Sequence, residues 1–96
     1  MAPTVTVAIP VLDEEAHLGA CLDAIEAQTY SGIVEVLVID GGSSDRSVEI
    51  ARQHQMVRVL DNPRRIQSAA LNRALDEAAG EILVRVDGHC VIAPDY

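Results

Sequence analysis

The chain has 96 residues, enough for one small domain that buries about 60–65% of its unfolded surface. It carries 15 acidic against 7 basic residues, a formal net charge of −8, so it offers no basic stripe for a nucleic-acid backbone. All seven basic residues are arginine, and the missing lysine excludes a phosphate-loop Lys, a Schiff-base Lys and the Lys expected of a phosphorelay receiver.

Val5–Val11 is an apolar, largely β-branched run and is predicted as a buried strand. Asp13, Glu14 and Glu15 follow and are expected to open a helix, since acidic groups are favoured in a first turn. Leu18, Leu22 and Ile25 then fall at helical spacing and should face the sheet. Residues 29–32 form the turn out of that helix. A second apolar strand spans 34–39, and Gly41 to Asp45 make a tight turn with Ser44 or Asp45 as N-cap. The second helix runs to about His54, with Val48 and Ala51 or Arg52 along one flank. Residues 57–60 are a short third strand. Asn62-Pro63-Arg64-Arg65 is a loop, because Pro63 biases its neighbour away from helix. A third helix covers 66–79 with Gly80 as its C-cap, and 81–86 are the fourth strand. Residues 87–96 carry no assignment.

The order βαβαβαβ implies an α/β fold: a Rossmann-like, three-layer α/β/α arrangement with a mostly parallel sheet and right-handed crossovers. With no Phe and no Trp, its core is aliphatic. Residues 1–96 are read as a single domain, expected to be the N-terminal part of a longer one, since both edges of a four-stranded sheet would otherwise stay open. The N-terminus has neither a basic n-region nor an uninterrupted apolar span, so a signal peptide and a membrane helix are not expected there. Cys21 and Cys90 can pair in principle, but two isolated thiols in an acidic α/β chain read as small hydrophobes.

Each of the four apolar runs ends in an aspartate: Asp13, Asp40, Asp61 and Asp87. Parallel strands gather those carboxylates on one rim, where open α/β sheets bind ligands. The first strand–helix turn, Leu12 to Glu15, has no glycine and three carboxylates, the opposite of a dinucleotide-binding loop. Asp13 is open to a ligand role or to capping. Asp40, in Asp40-Gly41-Gly42-Ser43-Ser44-Asp45, can accept from a base N–H or a ribose hydroxyl, or simply close a tight turn. Arg64 and Arg65 are a cluster of positive charge suited to phosphate oxygens, or solvated surface arginines. Asp87-Gly88-His89 joins a carboxylate and an imidazole after the last strand, a metal site or a polar turn. His17 and His54 are read as surface residues on helices.

In combination these motifs resemble the N-terminal nucleotide-sugar-binding part of a family 2 glycosyltransferase with the GT-A fold. Val7-Ala8-Ile9-Pro10-Val11-Leu12-Asp13-Glu14-Glu15 stands where that family has Ile-Pro-x-x-Asn-Glu-Glu, and Gln28-Thr29-Tyr30 matches the end of its first helix. Val38-Ile39-Asp40-Gly41-Gly42-Ser43-Ser44-Asp45 matches the Val-Val-Asp-Asp-Gly-Ser-x-Asp turn, and Ala69-Ala70-Leu71-Asn72-Arg73-Ala74 the Ala-x-Asn-x-Gly helix. Asp87-Gly88-His89 stands at the Asp-x-Asp metal motif. The likeness is greatest to the bacterial exopolysaccharide-synthesis branch. It departs at Gly41, where the pair's second Asp is missing, and at His89, which replaces the second Asp of Asp-x-Asp.

The resemblance implies transfer of a sugar from a nucleoside diphosphate donor to an acceptor hydroxyl, with inversion. It implies a nucleotide site at Pro10, Val11, Asp13, Asp40, Arg65 and Asp87, and a divalent metal, Mn²⁺ or Mg²⁺, on Asp87 and His89. The general base of the family lies beyond Tyr96, so these residues alone are expected to be inactive. A cytoplasmic location, or the cytoplasmic face of a membrane, is implied for the whole protein. The alternative is a non-catalytic α/β module that associates through its sheet edge. A sugar-phosphate nucleotidyltransferase would need a glycine-rich, basic first loop, which Leu12 to Glu15 is not.

Overall fold

A computed structural model of the chain describes residues 3–28, 31–62 and 67–87. The elements are β1 (Val5–Val11), α1 (Leu18–Glu26), β2 (Ile33–Asp40), α2 (Ser47–Arg52), β3 (Val57–Asp61), α3 (Gln67–Glu77) and β4 (Ile82–Arg85). All strand pairs are parallel and the order is β3-β2-β1-β4. The predicted α/β class and element order hold.

The period-2 alternation of the strands divides the core between two faces. Val7, Ile9 and Val11 of β1 and Val36 and Val38 of β2 pack with Leu18, Cys21, Leu22 and Ile25 of α1 and Ala51 of α2. Ala8 of β1, with Leu37 and Ile39 of β2, packs with Leu60 and with Ala74 of α3. Two helices therefore cover one face and the third covers the other, the three-layer arrangement. The strand order explains why. From β1 to β2 to β3 the chain steps outward in one direction, and right-handed crossovers put α1 and α2 on the same side. From β3 to β4 it returns past β1, so the same handedness carries α3 over the opposite face. With Leu18, Leu22 and Ile25 at most 2% exposed, each contributes roughly 1.5–3 kcal/mol in place of aromatic rings.

Several predicted boundaries move, each for a local reason. The acids at 13–15 do not open α1. Asp13 has φ 52°, which breaks the helical path, and α1 begins at Leu18 after a turn in which the His17 and Leu18 N–H groups donate to the Glu14 carbonyl. α2 stops at Arg52 rather than near His54: the Gln53 and His54 N–H groups close its last turn on the Ile50 and Ala51 carbonyls, and the His54 carbonyl accepts from the Val57 N–H at the start of β3. His54 is not a surface residue: its side chain is 13% exposed and pairs with Glu26 of α1. His17 is exposed, as predicted.

Gly80 does not cap α3, which ends at Glu77. Its N–H donates to the buried hydroxyl of Thr6 (2.9 Å), which donates in turn to Glu35 (3.0 Å). The Ala79 N–H donates to the same Glu35 carboxylate (2.6 Å). These bonds pin the α3–β4 connection to the start of β1. A Cβ on Gly80 would lie 2.6 Å from the Thr6 backbone nitrogen and 2.7 Å from the Val5 carbonyl carbon. On Gly19 it would meet only the Ile50 methyl, at 3.8 Å.

Gly80→Ala should therefore destabilise the fold by about 1–3 kcal/mol through backbone displacement. Gly19→Ala, in the first turn of α1, should gain up to about 0.5 kcal/mol. Urea unfolding of the two variants should give midpoints that move in opposite directions; a neutral Gly80→Ala would contradict the contact.

Candidate functional site

The strand order reverses between β1 and β4, which makes the carboxyl ends of these two strands the topological switch point. The reversal is opened into a crevice by Pro10. The Ala8 carbonyl accepts from the Val86 N–H (2.9 Å), so even-numbered residues of β1 turn their polar groups toward β4. Pro10 has that orientation but no N–H, and the register between the two strands ends at Ala8 and Arg85. Odd-numbered Val11 faces β2, where its carbonyl accepts from the Gly41 N–H (2.8 Å).

The loops after β1 and β2 are tied together above this crevice. The Asp13 N–H donates to Ser43 Oγ (2.9 Å), the Glu14 N–H to Ser47 Oγ (2.8 Å) and the Glu15 N–H to Asp45 Oδ2 (3.1 Å). Asp13 returns the connection: its Oδ1 accepts from the Ser44 N–H at 2.8 Å. Asp is among the few residues that tolerate the left-handed conformation this requires. Asp45 also accepts from the Ser47 N–H (2.9 Å) and hydroxyl (2.6 Å), but neither it nor Ser44 is the N-cap expected from the sequence: that position falls to Arg46, whose side chain makes no capping bond. The Ser47 hydroxyl holds the Asp45 carboxyl below the ordinary range, assisted by the Ser47 and Glu15 N–H groups.

Asp40 is 7% exposed, and its carboxylate closes its own loop. Oδ2 accepts from the Gly42 and Ser43 N–H groups (both 3.1 Å), and Oδ1 from the Ser43 hydroxyl (2.5 Å). Gly42 sits at φ 95°, where a side chain would be strained. Asp61 is the last residue of β3, in register with Asp40 and exposed.

Of the predicted site residues, Pro10, Val11, Asp13, Asp40 and Asp87 stand on this rim. Val11 is 4% exposed: its side chain lies in the α1–α2 core and its carbonyl is bonded toward β2. Asp87 is half exposed, and Arg85 donates to its Oδ1 at 3.1 Å. Its carbonyl accepts from the buried Cys21 thiol (3.5 Å). Arg64, Arg65 and His89 lie outside the described residues, as does Cys90. Arg85 was not singled out from the sequence, although a spacing of two on a strand puts it on the same face as Asp87. Nor were the hydroxyls of Ser43 and Ser47 recognised as the links between loops; only the run of serines signals them.

Comparison with known proteins gives this rim a context. The profile of "Glycosyl transferase family 2" matches residues 6–96. The chain is 40% identical over 96 residues to succinoglycan biosynthesis protein ExoA of Rhizobium meliloti (strain 1021), covering 94% of this chain and 29% of that protein. It is 37% identical over 94 residues to glycosyltransferase AglE of Haloferax volcanii, covering 92% and 31%. The mannosyltransferase PcManGT from Pyrobaculum calidifontis, solved with GDP-Man and Mn²⁺, superposes with a TM-score of 0.87 at 32% identity, over 98% of this chain and 30% of that one. Glucosyl-3-phosphoglycerate synthase from Mycobacterium tuberculosis, solved with Mn²⁺, UDP and glucosyl-3-phosphoglycerate, gives 0.77 at 29% identity, over 91% and 34%. The chain thus spans about three tenths of the length of the curated relatives it matches.

Ser47 is fully buried, so Ser47→Ala should leave the Glu14 N–H without its acceptor and cost about 1–3 kcal/mol. Exposed Ser44→Ala should stay within about 1 kcal/mol. Equal losses in chemical denaturation would contradict the ranking. Because the folded-state pKa of Asp45 is depressed, its contribution is complete above the unfolded value of about 3.9 and is lost as pH falls through the folded value. Asp45→Asn should therefore flatten the acid limb of the stability–pH curve; superimposable limbs would count against it.

Proposed function

The chain belongs to glycosyl transferase family 2, and from that membership we propose that it is the nucleotide-sugar-binding portion of an inverting glycosyltransferase. The reaction passes a sugar from a nucleoside diphosphate donor to an acceptor hydroxyl, in the synthesis of an exopolysaccharide or another cell-surface glycan. The observation that carries this reading is the pair of aspartates, Asp40 and Asp87, at the ends of the strands on either side of β1, with the crevice at Pro10 between them. The nucleotide and Mn²⁺ in the two solved relatives support it.

In this reading the nucleoside lies along the carboxyl end of β1. The backbone of Pro10 and Val11 forms the floor, Asp13 a wall, and Asp40 takes a base N–H or ribose hydroxyl. Asp40 is spent on its own loop, so the ligand takes over an acceptor position that the Ser43 hydroxyl holds. Ser43 can rotate away while the Gly42 and Ser43 N–H groups keep the carboxylate in place. The diphosphate then lies toward β4, where Arg85, with Arg64 or Arg65, offsets charge that builds on its oxygens.

The residues there suit a hard divalent cation in one respect: Asp87 presents a half-exposed carboxylate, with Arg85 as its present counter-charge. Asp87 and His89 would hold Mn²⁺ or Mg²⁺, which supplies Lewis-acid stabilisation of the departing nucleoside diphosphate. The base that deprotonates the acceptor lies outside these residues, so the chain binds donor without transferring sugar. The reaction belongs on the cytoplasmic side. No helix among the described residues is long and apolar enough to cross a membrane.

A second reading, a non-catalytic module joined through its sheet edge, is favoured by Ile82, 44% exposed on edge strand β4. Light scattering separates the two: an oligomer indifferent to nucleotide and Mn²⁺ favours the module.

Calorimetry with GDP or UDP and Mn²⁺ should register binding by the folded chain. Asp40→Asn should weaken it at least tenfold with or without metal, whereas Asp87→Asn should remove the gain that Mn²⁺ provides. Unaltered affinities in both variants would overturn the assignment.

A further inference from the structure

At the other end of the sheet, three side chains converge without a part in the rim. Asp23 and Glu26 of α1 and His54 of the α2–β3 turn each bring a ligand atom within 4.8 Å of the other two. α1 returns antiparallel to the strands, and His54 stands just before β3 begins, so the group lies at the amino ends of the strands. The seven residues of β1, at about 3.3 Å each, separate it from the rim by on the order of 20 Å.

Two features single this group out from an ordinary patch of surface acids. The first is the imidazole. His54 is 13% exposed, and its Nδ1 is in short contact with Glu26 Oε1, so the ring is fixed with that nitrogen turned toward the carboxylates. The second is the cleft. The three side chains line an open hollow of about 670 Å³ together with Gln53, Gln55 and Met56, which gives solvent access and two amide oxygens nearby. A His54–Glu26 pair accounts for two members only. Asp23 stands one helical turn from Glu26 and forms no ion pair among the described residues, so its charge works against the Glu26 carboxylate.

We propose that Asp23, Glu26 and His54 form a binding site for a first-row divalent transition metal, best matched by Zn²⁺, that fastens the end of α1 to the α2–β3 turn. One imidazole and two carboxylates suit Zn²⁺, whereas Mg²⁺ and Ca²⁺ prefer oxygen alone. Three protein ligands leave a position for water. Ligand atoms about 3 Å apart around an ion require only small rotations of two exposed carboxylates. The metal takes the His54 Nδ1 lone pair, so protons compete with it for the site. The site is independent of the nucleotide-binding reading.

The test is calorimetry and thermal melting of the full chain with Zn²⁺ and no nucleotide, repeated on Asp87→Asn to silence the rim. The expected result is saturable one-to-one binding in both, a raised melting temperature, and no competition from equimolar Mg²⁺. His54→Ala and the volume-conserving Glu26→Gln, each checked for native circular dichroism, should bind at least tenfold more weakly. Affinity unchanged in both of these variants, Zn²⁺ uptake lost in Asp87→Asn, or no saturable uptake by the folded chain would each overturn the proposal.

Discussion

Three consecutive backbone N–H groups, those of Asp13, Glu14 and Glu15, belong to no helix or strand and are taken up by Ser43, Ser47 and Asp45 of the next strand–helix loop. The Glu14 bond is the part-buried one, where losing the acceptor costs most, so the first loop leans chiefly on Ser47 of the second. The second loop is in turn held by Asp40, which binds the Gly42 and Ser43 N–H groups. Ser43 belongs to both sets: it accepts from Asp13 and donates to Asp40. The rim is thus preorganised by its own polar groups, with one hydroxyl joining Asp40 to Asp13.

The sheet supplies the other half of the site. Reversal of strand order at β1 sends α3 to the opposite face and leaves β1 flanked by β2, which ends in Asp40, and β4, which Asp87 follows by two residues. Pro10 then ends the pairing with β4 early. A crevice lined by carboxylates is hostile to a bare diphosphate, so counter-charge is required. Arg85 provides some of it within the described residues, and a divalent cation completes it in the proposed reaction.

Much of this was legible in the sequence where side-chain periodicity carries the information. The alternation of Val7, Ala8, Ile9 and Val11 specified a strand buried on both faces, and Leu18, Leu22 and Ile25 specified the face of α1. What escaped was whatever depends on a partner distant in sequence. Acidic residues at 13–15 look like a helix start because local propensity favours it; the bonds to Ser43, Ser47 and Asp45, about thirty positions on, override it. Gly80 looks like a helix cap, yet its smallness serves contact with Thr6, 74 positions away. His54 looks like a surface residue until α2 is laid beside α1. The motif order pointed to the family that the profile match then established, together with a relative named for succinoglycan biosynthesis.

The central claim is that nucleotide and metal meet at the reversal between β1 and β4. Paramagnetic broadening of backbone amide signals by Mn²⁺, recorded with and without a nucleoside diphosphate, addresses it directly. The account predicts nucleotide-dependent broadening centred on Asp87 and extending to Val11, Asp13 and the Gly41–Ser43 turn. Broadening that ignores the nucleotide, or that leaves those amides sharp in its presence, would contradict it.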